Sequence, residues 1–212
     1  CHLPAIRVLK IKAYPLTFIQ KTPLRAGERV DTMRIKNHRL EGIRFIESPN
    51  QDQRPLAEDL DLIVIHCISL PPGQFGTEGI IELFTNRLDP EQHPYYQDIA
   101  SLRVSAHLVI RRDGEVIQFV PFDRRAFHAG ISSYQGRPAC NDFSIGIELE
   151  GTDDSGYEAI QYDQLNRVIK ALIITYPTLS RDRMAGHQEI APDRKTDPGP
   201  FFEWHRLDRE NG

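Results

Sequence analysis

Residues Val104–Phe122, VSAHLVIRRDGEVIQFVPF, carry two β-type runs, Val104–Arg111 and Glu115–Phe122, split by Asp113-Gly114. An Asp-Gly between two such runs predicts a tight hairpin, with both central turn residues at positive φ. Such an antiparallel pair argues against a purely parallel, doubly wound sheet. Upstream, Leu60–Cys67 reads as a buried strand, stopped by the turn chemistry of Ser69-Leu70-Pro71-Pro72-Gly73. Downstream, Phe143–Leu149 is a second buried strand, closed by Gly151-Thr152. Tyr162, Leu165, Val168, Ile169, Leu172 and Ile173 follow the 3.6-residue period, which predicts the main helix over Glu158–Tyr176, ended by Pro177. A short helix is expected at Gly79–Leu88, a short amphipathic piece around Ile99–Leu102 and a last helical turn around Phe202–Leu207. Asp89–Gln97, with two prolines, and Arg124–Gln135 read as loops. Strands and helices intermix without a steady βαβ alternation. The expected class is therefore α/β of the α+β type, a mixed central sheet flanked by helices.

The chain has 212 residues, enough for one domain with a large core, and residues 33–212 are expected to form it. Residues 33–60, polar and broken by Pro49 and Pro55, read as a lead-in that wraps the domain. Residues 1–32 lack both a charged-then-apolar leader pattern and a helical stripe, and Met33 reads as a translation start. They are expected to be an extension, a reading-frame artefact or a poorly ordered arm, with a lipid-anchored Cys1 the rival reading. A net charge of −4 leaves no basic footprint, which opposes a nucleic-acid partner. No apolar run approaches the roughly 18 residues of a membrane span. Cys1, Cys67 and Cys140 are odd in number and have no paired spacing. They oppose a disulfide framework and fit a reducing, cytoplasmic location.

Gly186–Pro200, GHQEIAPDRKTDPGP, sets His187 and Asp197 ten positions apart between Pro and Gly punctuation, and His66 ends the run Leu62-Ile63-Val64-Ile65. Two histidines and one carboxylate, without a fourth protein ligand, suit a hydrolytic zinc site with one open position. Singly, each has a plain structural reading: a strand-end histidine, a histidine after a glycine, an Asp-Pro-Gly turn. In Ile145-Gly146-Ile147-Glu148-Leu149-Glu150, alternation puts the apolar side chains on one face and Gly146, Glu148 and Glu150 on the other. Glu148 reads equally well as an acid/base carboxylate beside a metal and as a solvated glutamate on an exposed face. Lys195 suits stabilisation of an oxyanion, against a surface lysine in the run Asp193-Arg194-Lys195. His107 reads as a half-buried strand residue and His128 as a loop hydrogen-bonder, with a place in the cleft open to both. Cys67 and His66 cannot pair as nucleophile and base, since strand neighbours point to opposite faces. No Gly-x-Ser-x-Gly, His-Glu-x-x-His or Gly-x-x-x-x-Gly-Lys pattern occurs.

Leu62–Gly73, Leu102–Phe122, Ala126–Gly136, Cys140–Thr152 and Gly186–Pro200, in that order, resemble the zinc N-acetylmuramoyl-L-alanine amidases. That family includes the peptidoglycan recognition proteins, and the likeness is to its branch acting on 1,6-anhydro-muropeptides. It spans Met33 to Leu207. The resemblance implies one Zn2+ per chain, held by His66, His187 and Asp197 in a cleft at one side of the sheet. It implies Glu148 as the acid/base residue and Lys195 as the oxyanion stabiliser. The implied reaction is hydrolysis of the amide between the lactyl group of (anhydro-)N-acetylmuramic acid and L-alanine. That reaction serves cytoplasmic peptidoglycan recycling, and it restrains β-lactamase induction where such a circuit exists. The partner is then a small soluble muropeptide and the protein a monomer. Arg103, His128 and Asn141 are the candidate substrate contacts; a guanidinium such as that of Arg103 grips a carboxylate with two hydrogen bonds. Two departures stand out. Cys67 follows the first ligand where some relatives carry asparagine, and Arg137-Pro138-Ala139-Cys140 lacks a second basic residue. A non-catalytic muropeptide-binding module is opposed by the presence of all five site residues. A secreted wall amidase is opposed by the lack of a leader pattern and of wall-binding repeats.

Overall fold

Six strands share one sheet in the computed structural model, which describes residues 33–56 and 59–207. They are β1 (Arg44–Phe45), β2 (Leu62–Ile68), β3 (Leu108–Ile110), β4 (Val116–Gln118), β5 (Ser144–Glu150) and β6 (Met184–Gly186). Across the sheet the order is β6-β2-β5-β3-β4-β1. The first four of that order are mutually parallel, β4 is antiparallel to β3, and β1 runs parallel to β4. The sheet is thus mixed, and the β3–β4 hairpin supplies the reversal. The expectations for residues 1–32 lie outside the described residues, all of which belong to the compact unit Thr32–Gly212.

The hairpin's turn differs from the expected one. Only Gly114 takes positive φ, +88°. Gly114 N–H donates to Arg111 O at 2.9 Å and Arg111 N–H to Glu115 O at 2.8 Å. The connection therefore has three residues, with glycine at the left-handed position. Asp113 instead uses its carboxylate to accept from Glu115 N–H at 2.9 Å.

Alternation along β2 and β5 divides the molecule. Ile63 and Ile65, with Ile145, Ile147 and Leu149, bury one face against the helix Ala159–Thr175 through Leu165, Val168, Ile169 and Leu172. Each such side chain contributes about 1.5–3 kcal/mol on burial. The helix starts in a capping box between Glu158 and Gln161, and the buried Gln161 amide donates to Ile110 O and Glu150 O at 3.1 Å. The opposite face of β2 presents Leu62, Val64 and His66. The matching face of β5 is not solvated: every residue of Ser144–Glu150 is buried. Glu150 is satisfied there by Gly76 N–H at 2.7 Å and Arg112 N–H at 3.2 Å.

Two shorter elements depart from expectation. Pro94–Ile99 is a helix, where the sequence reads as loop through Gln97. His93 caps it through its imidazole, which accepts from Tyr95 N–H at 3.1 Å, and Pro94 takes the first helical position, where no N–H is required. The segment at Phe202–Leu207 forms only a 3-10 turn, Trp204–Arg206. The lead-in is more ordered than a wrap, since Arg44–Phe45 joins the sheet and Gln51–Gln53 pairs antiparallel with Arg124–Ala126. Among the described residues no helix is long and apolar enough to cross a membrane, and Cys67 and Cys140 are free thiols.

Candidate metal centre

His66 lies inside β2, in register with Glu148 on β5, so both side chains emerge on one face at the carboxyl end of the parallel strands. His187 follows β6 directly and opens the short helix His187–Ile190. The loop bearing Asp197 is drawn back onto that helix by Gln188 N–H, which donates to Asp197 O at 2.9 Å. Tyr157 adds a hydrogen bond from its hydroxyl to Pro198 O at 2.7 Å. Gly186 permits this approach: a Cβ there would lie 2.8 Å from Pro198 Cδ.

Three donor atoms converge. His66 Nδ1 is 3.0 Å from His187 Nδ1 and 3.1 Å from Asp197 Oδ2, and His187 Nδ1 is 3.2 Å from the same oxygen. A tetrahedral zinc site with bonds of about 2.0 Å has ligand–ligand edges of about 3.3 Å. The triangle fits such an ion and leaves the fourth vertex to the cleft. Among the described residues no other group of three His, Cys, Asp or Glu donors meets this spacing. Burial pushes the His66 imidazole down to about 4. Burial alone would raise Asp197, but hydrogen bonds with His187 and His66 outweigh it and hold the carboxyl below its usual range.

Glu148 stands beside this triangle, buried, and its Oε2 has no hydrogen-bond partner among the described residues. Burial, then the negative charge of Asp197, push its carboxyl well above the usual range, with Lys195 pulling the other way. Lys195, half-buried, lines the same cleft. The cleft holds about 520 Å3; its lining includes His66, Glu148, Lys195 and Asp197, together with the apolar Ile99, Leu102 and Phe127. A groove of about 930 Å3 between residues 36–41 and 47–51 has none of these donors.

The remaining sequence candidates go elsewhere. Arg103 is exposed and outside the cleft lining, with Nη1 donating to Ser101 O and Leu102 O at 3.1 and 3.3 Å. Asn141 also lies outside the lining, its Oδ1 accepting from His128 N–H and Ala129 N–H. His128 borders the cleft, but both its ring nitrogens are engaged, with His66 Nε2 at 2.9 Å and Ser144 Oγ at 3.1 Å. His107 is fully buried rather than half-buried, and precedes β3. Its Nδ1 accepts from Gly146 N–H at 3.0 Å. Sequence reasoning missed the carbonyl of Ala129, which lies 3.1 Å from His187 Nε2 and also accepts from Arg194 at 2.6 Å. A backbone acceptor leaves no mark in a sequence. Arg194 was legible only as part of a charged run.

The sequence profile of the N-acetylmuramoyl-L-alanine amidases matches residues 56–200, more than half of the chain. The chain belongs to that family. The 1,6-anhydro-N-acetylmuramyl-L-alanine amidase AmpD of Escherichia coli (strain K12) is 59% identical over 168 residues, 79% of this chain and 91% of the relative. A crystal structure of a selenomethionine AmpD derivative matches with a TM-score of 0.80 at 57% identity, over 82% of this chain and 97% of that one. The E. coli amidase AmiD is 29% identical over 70% of this chain and 56% of its own, with a TM-score of 0.51. Its structure is a complex with the substrate anhydro-N-acetylmuramic acid-L-Ala-D-gamma-Glu-L-Lys. The mixed sheet with flanking helices is the architecture shared with the AmpD structures.

Proposed function

We propose that this protein is a zinc-dependent amidase that hydrolyses the bond between the lactyl carbonyl of 1,6-anhydro-N-acetylmuramic acid and the nitrogen of L-alanine in muropeptides. The observation that carries the reading is the triangle of His66 Nδ1, His187 Nδ1 and Asp197 Oδ2 beside the buried Oε2 of Glu148, which has no hydrogen-bond partner among the described residues. A zinc ion held by these three would supply Lewis acidity toward water and toward the scissile carbonyl. Glu148 takes the proton from the attacking water and returns it to the alanine nitrogen as the amide bond breaks. Its raised affinity for protons suits both halves of that task. Lys195 faces the negative charge that gathers on the carbonyl oxygen. The products are a lactyl carboxylate and a peptide with a free amino terminus.

The names of the relatives support an anhydro-muropeptide as substrate. On this reading the protein acts as a monomer in the cytoplasm, in peptidoglycan recycling, and lowers the pool of muropeptides that induces β-lactamase where that circuit exists. Incubation of the zinc-loaded protein with anhydro-N-acetylmuramyl tripeptide, followed by mass spectrometry, tests it. Free anhydro-N-acetylmuramic acid and intact L-Ala-terminated tripeptide are expected in equal amounts. Cleavage at any other bond, or none, would refute the assignment.

A further inference from the structure

Both ligand imidazoles turn Nδ1 toward the triangle, so each has Nε2 on the far side. For His187 the near partner on that side is Ala129 O at 3.1 Å; Arg194 Nη2 stands farther off, at 3.5 Å, and spends its two protons on Ala129 O and Ile131 O at 2.6 and 2.9 Å. A carbonyl only accepts, so His187 carries its proton on Nε2 and keeps Nδ1 bare. For His66 the far partner is another imidazole, His128 Nδ1, and the direction follows from what lies beyond it. His128 Nε2 meets Ser144 Oγ at 3.1 Å, and the Ser144 hydroxyl spends its one proton on Cys140 O at 2.6 Å. Toward His128 the hydroxyl therefore accepts, and His128 carries its proton on Nε2. Its bare Nδ1 accepts from His66 Nε2–H, which leaves His66 Nδ1 bare as well.

The two acceptors thus come from consecutive residues, the ring of His128 and the carbonyl of Ala129. The backbone of this pair is clamped: both amide N–H groups donate to Asn141 Oδ1, at 3.0 and 2.8 Å. Asn141 sits in the 3-10 turn Cys140–Asp142, which the buried Arg54 pins by donating to Asn141 O, Asp142 O and Ser144 O at 3.2, 3.1 and 2.8 Å. The His128 ring lies flat against Gly146, where a Cβ would come within 2.6 Å of its Cδ2 and Nδ1.

We infer that His128–Ala129, clamped by Asn141, is one outer support that sets the tautomer and orientation of both ligand histidines. This makes His128 and Asn141 positioning residues for the metal centre rather than substrate contacts. The inference rests on the metal-site reading above. Loss of an outer partner of a ligand histidine costs about 10–100-fold in metal affinity.

The test uses the full chain stripped of metal, with Zn2+ affinity read by competition with a chromophoric chelator and Co2+ as a spectroscopic probe. His128→Leu and Asn141→Ala are expected to weaken Zn2+ binding about 10–100-fold and to change the Co2+ d–d spectrum. Asn141→Asp keeps an acceptor oxygen for the two amides and should return both readouts toward wild type. Ser144→Ala leaves the backbone clamp untouched and should still alter the Co2+ spectrum, which keeps the test informative if either larger change impairs folding. Wild-type zinc affinity and Co2+ spectra in His128→Leu and Asn141→Ala, with only KM raised, would overturn the inference in favour of substrate contacts. An Asn141→Asp as weak as Asn141→Ala would overturn the clamp. Failure of the wild-type protein to take up one Zn2+ would sink the metal-site reading instead, a separate result.

Discussion

Glu148→Gln exchanges one carboxylate oxygen for an amide nitrogen of the same size. The side chain is buried next to His66, and among the described residues Oε2 has no partner to lose. The swap therefore trades one unpartnered polar atom for another while removing the proton acceptor. Stability should change by less than about 1 kcal/mol, a shift of no more than about 4 °C in Tm for a chain of this size. The metal donors are untouched, so zinc content should stay at one per chain. A positioned acid/base group contributes about 10²–10⁴-fold to rate. At about 1.36 kcal/mol per decade, that is about 2.7–5.4 kcal/mol of barrier. The assay is the initial rate of release of L-Ala-terminated peptide from anhydro-muropeptide, with zinc content and Tm measured on the same preparation. A kcat within tenfold of wild type, with zinc retained, would show that Glu148 does not carry the proton.

Two further outcomes follow from the buried polar groups behind the site. Arg54→Leu abandons the part-buried carbonyls of Asn141 and Asp142 and the buried carbonyls of Phe122 and Ser144, and each of the latter two left unpaired costs about 1–3 kcal/mol. A loss of at least about 2 kcal/mol in urea unfolding is expected, and a loss below about 1 kcal/mol would show that these bonds do not hold the turn. His107 is kept neutral by burial, then by the charge of Arg54, so its folded value lies well below its ordinary 6.5. Below pH 6.5 the unfolded chain takes up a proton that the folded chain refuses. Stability should therefore fall as pH drops from 6.5, by about 1.4 kcal/mol per pH unit from this group, with no effect above it. The stability slope between pH 6 and 5 should be shallower by that amount in His107→Asn, and equal slopes would refute the assignment.

What the sequence made legible was whatever a local rule determines. Asp113-Gly114 marked the hairpin, and the apolar period of Tyr162 to Ile173 marked the long helix to within a residue of its ends, Ala159 and Thr175. The turn type was not legible, because a three-residue connection needs only Gly114 at positive φ. The helix Pro94–Ile99 was hidden by its proline, which opens a helix as readily as it breaks one. The polar face of β5 was the harder problem. Its alternation is that of a half-exposed strand, yet Glu150 is buried by two backbone N–H groups from distant loops and Glu148 by the wall of the cleft. The three candidate metal donors could be picked out as residue types in a pattern, and the fold brings them together. Behind them, Asn141 was legible as a residue but not in its contacts with the His128 and Ala129 amides, and the Ala129 carbonyl beside His187 leaves no mark in the sequence.

The most direct measurement is a zinc titration of the stripped protein, with cleavage of anhydro-muropeptide as the readout. Activity should be absent without metal, rise linearly to one Zn2+ per chain, then stay flat, and it should not appear at all in His187→Ala. Full turnover in the stripped protein, or a rise that continues to two ions per chain, would contradict the account.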